Sequence, residues 1–190
     1  MSIHGFRAID VSGSAAFSDW TSDSPNYRRK GVLVTGKNDT EESGPYEITI
    51  VHLFDAPREL VFRNWVDAVD VRTWFAPDNC TVTLCEVDAR PGGKWQVEYR
   101  YDFGGYYIEY GEFHEVVEPE RLTFSLTQED GEGNIGHRTL VTVRFSDAGA
   151  KTEMTFTQTA FETPARRDNN TEGWNECFRK LDVHMANARS

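Results

Sequence analysis

Glu112 and His114 stand two residues apart at the end of the stretch "KWQVEYRYDFGGYYIEYGEFH", Lys94 to His114. On a strand, residues at i and i+2 share a face. A carboxylate and an imidazole side by side are able to pass a proton in either direction, which is general acid–base chemistry. They equally serve as two polar groups that orient a ligand or a water in a hydrated pocket. The same stretch holds five of the chain's seven tyrosines, with Trp95, Phe103 and Phe113 beside them. Rings of that size outnumber what an ordinary aliphatic core needs, and each tyrosine brings a hydroxyl that wants a partner when buried.

Other chemistries find no support. His4, His52, His114, His137 and His184 are scattered, with no H-x-x-x-H spacing. Cys80, Cys85 and Cys177 form no C-x-x-C, so no metal ligand set is expected. Cys80 and Cys85, an odd offset apart, should point to opposite faces of a strand, and all three read as free thiols. "GEGNIG", Gly131 to Gly136, has glycines at the wrong spacing for a dinucleotide fingerprint and bridges two strands. No G-x-S-x-G elbow or phosphate-binding loop is present, and no cofactor is expected.

The formal charge of −11 argues against nucleic-acid binding, because Arg28-Arg29-Lys30 is the only basic cluster. No apolar run approaches the ~18–20 residues of a membrane span. The N-terminal "MSIHGFRAIDVSGSAAF" lacks the charged-then-apolar layout of a secretion signal. The expectation is a soluble cytoplasmic protein, monomer or homodimer.

Which elements would position the rings? Residues 1–44 are rich in Ser, Asp, Gly and Asn and read as an irregular extension, with "GVLVTG" (Gly31–Gly36) its one strand-like piece. Residues 45–190 read as a single domain. Tyr46–Phe54 alternates as a strand. Asp55 is placed as N-cap of a helix with Pro57 in its first turn and a stripe through Leu60, Val61, Phe62, Trp65, Val66 and Val69. A short helix follows at Asp70–Phe75. Six strands come next, at Thr81–Val87, Lys94–Asp102, Tyr107–Val117, Leu122–Thr127, Thr139–Phe145 and Glu153–Phe161. The last helix is expected from about Asn170 to Ala188, with Asn169 and Glu172 as a capping box. Trp174, Phe178, Leu181 and Met185 make its apolar stripe. Short joints imply an antiparallel sheet, so the class is α+β, with the sheet curling over the terminal helix.

A two-residue turn at Gly104-Gly105 would pair Tyr101 with Ile108, Tyr99 with Tyr110, Val97 with Glu112 and Trp95 with His114. It would pair Arg100 with Glu109 on the other face. The aromatic face, with Glu112 and His114 on it, should then look at the last helix. A partly hydrated pocket suits buried carboxylate and imidazole groups better than a dry core does.

Four motifs occur in order: "APRELVFRNWVDAVDVRTWFAP" (Ala56–Pro77), "DARPGGKW" (Asp88–Trp95), "GEFHEVVEPERLTFS" (Gly111–Ser125) and "EGWNECFRKLD" (Glu172–Asp182). With these, the chain from about Tyr46 to Ala188 resembles the SRPBCC or START-like helix-grip superfamily. The branch is that of homologues of the activator of the heat-shock protein 90 ATPase. The resemblance implies a helix-grip fold with a hydrophobic cavity between curved sheet and C-terminal helix, and a link to stress response. It puts Asp88, Arg90, Gly92 and Gly93 on one family turn, Pro119, Arg121 and Leu122 on a second, and Gly173-Trp174 at the helix start. His114 departs from the apolar residue common in the family, and the first 44 residues match nothing in that domain.

Three functions follow from these residues. The favoured one is binding of a small hydrophobic or aromatic molecule without catalysis. A cyclase- or hydrolase-type enzyme using Glu112 and His114, and a chaperone-interacting protein as the family name suggests, stay open. The expected ligand contacts are Trp74 near the mouth and Trp95, Tyr99, Tyr101 and Tyr110 on the hairpin. Phe124 and Phe156 on other strands, and Trp174 and Phe178 on the helix, join them. Glu112, His114 and Gln158 are the expected polar orienting groups.

Overall fold

From Gly44 the chain alternates into a strand, β1 (Gly44–Phe54), which buries Ile48 and Phe54 and leaves Val51 and Leu53 exposed. The structure, a computed structural model, describes residues 44–187, all within the compact unit Glu41–Ser190. The extension expected over residues 1–44, including its "GVLVTG" strand, lies outside the described residues except for Gly44, and so does Ala188.

Two short helices follow, α1 (Arg58–Val66) and α2 (Ala68–Trp74). Then come β2 (Cys80–Val87), β3 (Lys94–Tyr101), β4 (Tyr106–Val117), β5 (Arg121–Asp130), β6 (Thr139–Ala148) and β7 (Lys151–Ala160). A long helix, α3 (Pro164–Asn187), ends the described chain. The strands form one curved antiparallel sheet in the order β1-β7-β6-β5-β4-β3-β2. Every neighbouring pair except β1–β7 is a sequential hairpin, which is why short turn sequences suffice to join them.

Several boundaries differ from the expected ones for identifiable reasons. Asp55 does not cap α1; Pro57 holds that position with extended backbone, and its carbonyl accepts from the amides of Leu60 and Val61. Asp67 is the residue that caps α2, accepting from the Val69 amide at 2.8 Å. α3 starts earlier than Asn170, because Pro164 suits a first helical turn and Thr163 Oγ1 accepts from the Arg166 amide at 3.2 Å. Asn169 and Glu172 are therefore interior to the helix and form no capping box. In β2 a register irregularity between Val82 and Leu84 inverts parity, so Cys80 and Cys85 both pack toward the core instead of opposite ways.

The core sits between the concave face of the sheet, the short helices and α3. Its centre is Trp65, whose ring lies within 4.8 Å of Trp74 and 6.1–6.4 Å of Phe124, Phe156, Trp174 and Phe178. Trp174, Phe178, Leu181 and Met185 on α3 are all buried, as the 3.6-residue periodicity requires.

Candidate ligand-binding site

The β3–β4 hairpin sets the site. The Gly104 amide donates to the Tyr101 carbonyl at 3.0 Å, and the Tyr101 amide donates to the Gly105 carbonyl at 3.1 Å. That is a three-residue loop closed by a bulge, with Gly104 at φ 100° and Gly105 at φ 112°. Tyr99 therefore pairs with Tyr107 and Trp95 with Gly111, three positions away from the two-residue register. An odd shift turns the β4 side chains as far as Phe113 to the other face. The irregularity between Phe113 and Glu115 restores the parity, so that Val116 packs on the core.

The consequence is direct. Tyr107, Glu109, Gly111 and Phe113 face the helix, while Tyr110, Glu112 and His114 point to the outer side of the sheet. His114 falls in the irregularity between Phe113 and Glu115 and is exposed. The acid–base pair expected at Glu112 and His114 therefore does not line the cleft between this hairpin and α3.

Gly111 explains why this register wins. The Trp95 indole crosses it and donates to the Ser125 carbonyl at 3.2 Å. A Cβ at Gly111 would lie 1.7 Å from the Ser125 oxygen and 2.9 Å from Trp95 Nε1. Only glycine leaves that room, and a glycine inside a strand is itself a mark of close approach.

On the concave side the hairpin, the end of α2 and the first half of α3 enclose a cleft of about 210 Å³. Phe75, Ala76 and Pro77 form one wall, and Asn169, Asn170, Gly173, Trp174 and Cys177 of α3 form another. Tyr99, Tyr101, Tyr107, Glu109 and Gln128 complete it from the sheet. Tyr99 stacks on Tyr107 at 5.8 Å and 21°, and Phe75 meets Trp174 edge-on at 5.4 Å.

The polar centre is a closed triangle. Tyr99 Oη donates to Glu109 Oε1 at 2.7 Å, and Gln128 Nε2 donates to the same oxygen at 2.9 Å and to Tyr99 Oη at 3.2 Å. Burial pushes the Glu109 carboxyl above its usual range, and the two donated bonds oppose that rise. Burial, with the neighbouring Glu109 charge, pushes the Tyr99 phenol up as well. Tyr101 is raised to about 12, again mainly by burial, and the Cys177 thiol is pushed up by the same cause. The phenols and the thiol are held protonated at neutral pH, which leaves the cleft without an activated nucleophile among these groups.

Of the residues expected to touch a ligand, the fold brings Tyr99, Tyr101 and Trp174 to the cleft. Trp74 is fully buried rather than at a mouth, with its indole N–H donated to the Asn64 carbonyl at 2.9 Å. Trp95 and Phe124 pack edge to face beneath the cleft, and Phe156 and Phe178 are core residues against Trp174. Gln158 is buried and acts through Trp174, accepting from its Nε1 at 2.7 Å. Glu109, Gln128, Tyr107 and Phe75 belong to the cleft without having been expected there. Among the described residues, no group of three or more His, Cys, Asp or Glu side chains could hold a metal ion. No helix among them is long and apolar enough to cross a membrane.

Comparison with known proteins agrees with this architecture. Residues 55–186 match the family model described as Activator of Hsp90 ATPase homolog 1-like protein. The crystal structure of the AHSA1 protein from Silicibacter pomeroyi is similar, with TM-score 0.68 and 19% identity over 74% of this chain and 98% of that one. A protein from Chromobacterium violaceum gives TM-score 0.63 at 22% identity, over 73% of this chain and 96% of that one. The solution structure of a protein from Arthrobacter aurescens gives TM-score 0.65 at 22% identity, over 82% and 93%. At these identities the likeness is one of fold. No curated protein matches the chain.

Proposed function

The chain belongs to the Activator of Hsp90 ATPase homolog 1-like family, within the START-like superfamily, and on that premise we propose that it binds a small hydrophobic or aromatic molecule between the sheet and α3. The observation that carries the reading is the ring-walled cleft with one polar triangle in it. Ligand sites are mostly apolar, with a few polar groups that fix orientation. An apolar cavity of ~150 Å³ takes up benzene. A cleft of about 210 Å³ suits a single ring with a short substituent.

In this reading residues 45–190 are the ligand-binding domain of a soluble cytoplasmic protein, and the cleft binds without turning its ligand over. Outward-facing Glu112 and His114 lie off this cleft, which supports binding over the acid–base alternative.

The test is saturable change of tryptophan emission on titrating small aromatic probes, since Trp174 borders the cleft. Gly173→Leu supplies the control. A Cβ there meets only Pro77, at 3.8 Å, so a larger side chain grows into open space. The variant should fold and lose binding. Unchanged binding in Gly173→Leu would place the ligand elsewhere. A chaperone contact of the kind in the family's name would be indifferent to this substitution, which separates the two readings. Native mass spectrometry of protein from its own host would identify what it carries.

A further inference from the structure

Glu109 is the one charged side chain among the described residues of the cleft, and nothing basic faces it. The titratable neighbours are Tyr99 and Tyr101 on β3, Tyr107 on β4 and Cys177 on α3. Lys180 of α3 is tied to the Ala76 carbonyl at 3.0 Å and lies off the lining. Both protein donors, Tyr99 Oη and Gln128 Nε2, converge on Oε1 and also bond each other. Among the described residues no donor reaches Oε2.

Glu109 is half-buried, and a partly desolvated carboxylate without a counter-charge is costly, a cost relieved by a proton or by a cation. The hydrogen-bond pattern decides between them. Two groups donating to one oxygen favour the ionised carboxylate, and the other oxygen is left to accept from a ligand. The walls suit a cation too, because aromatic rings present negative faces. A chain of formal charge −11 also draws cations to its surface and repels anions.

We infer that the cleft selects organic cations, namely a primary ammonium on an aromatic or short aliphatic body. The ammonium donates to Glu109 Oε2 while the body lies among Phe75, Tyr99, Tyr107 and Trp174. This inference rests on the cleft being a ligand site. Burial raises the Glu109 carboxyl, so at acid pH the free protein holds a proton there that must leave when an ammonium docks. Affinity for an amine therefore rises with pH until Glu109 is fully ionised. A carbonyl ligand accepting from protonated Glu109 would show the opposite slope.

Calorimetric titration of the full chain with benzylamine, benzyl alcohol and benzoate, from about pH 5 to about pH 8, reads this directly. The three probes share one ring and differ in charge. Benzylamine should bind roughly 10-fold or more tightly than benzyl alcohol, with affinity rising with pH, and benzoate should not bind. In Glu109→Gln, which keeps an acceptor for Tyr99, the amine should bind no more tightly than benzyl alcohol and lose its rise with pH. Alcohol or benzoate binding as well as the amine in the wild-type chain would overturn the inference and leave the ligand site standing. So would affinity that falls as pH rises, or an amine preference that survives Glu109→Gln. Failure of every probe to bind would overturn both.

Discussion

Replacing Tyr99 with phenylalanine removes one oxygen from the polar triangle and leaves the packing in place. The ring is only 2% exposed and stacks on Tyr107, and phenylalanine keeps that stacking. What disappears is the 2.7 Å bond donated to Glu109, together with the longer 3.2 Å bond that Gln128 Nε2 donates to the phenol oxygen. A hydrogen bond to an ionised partner contributes about 1.5–3 kcal/mol, against about 0.5–1.5 kcal/mol for a neutral one. For a domain of this size, the larger loss lowers the melting temperature by roughly 5–10 °C.

The pH dependence is the sharper part of the prediction. Burial raises the folded-state pKa of Glu109, so the folded protein binds that proton more tightly than the unfolded chain. The stability this contributes is fully present below the unfolded carboxylate value of about 4.3 and is lost as pH rises through the folded value. Tyr99 holds the folded value down, so its removal raises the value further and deepens the loss at high pH. Urea unfolding of both proteins near pH 4 and near pH 8 should give a small gap at acid pH and a larger one at alkaline pH. An equal gap at both, or a larger one in acid, would refute the claim that the hydroxyl serves an ionised carboxylate.

Phe156→Ala should cost about 3–5 kcal/mol in denaturant midpoints, because a fully buried ring between Trp65, Trp174 and Phe178 leaves a cavity that rigid neighbours fill poorly. Gly111→Ala should cost roughly 3 kcal/mol or prevent folding, since the new Cβ meets the Ser125 carbonyl at 1.7 Å. Gly105→Val should destabilise by about 1–3 kcal/mol, because φ of 112° is foreign to a β-branched residue. His114→Leu should leave probe affinity unchanged in a fluorescence titration, because that side chain is exposed on the outer face.

The order of elements was legible because it depends on local patterns. Alternation marked the strands, turn residues marked their joints, and the stripe of Trp174, Phe178, Leu181 and Met185 marked the gripped helix. The cleft was legible as a concentration of rings but not in its polar members. One three-residue loop in place of a two-residue turn exchanged Tyr110, Glu112 and His114 for Tyr107, Glu109 and Gly111 opposite Tyr99, Val97 and Trp95. Local sequence barely separates those loops, since both use glycine at positive φ. The deciding contact is long range, between Trp95, Gly111 and Ser125. Gly111 did carry a signal, because a mid-strand glycine marks the face where another group comes close, and Glu109 shares that face. Gln128 was out of reach, since β5 extends beyond Thr127 to Asp130 and its pairing with β4 is set by the same register.

The central claim is that the concave face of the β3–β4 hairpin and α3 hold a ligand between them. Intermolecular nuclear Overhauser contacts between a saturating benzyl probe and the protein's aromatic protons test it most directly. The account predicts contacts to Tyr99, Tyr107 and Trp174 together, and none to Tyr110. Contacts to Tyr110 and Ile108 without Trp174, or no contacts at saturation, would contradict it.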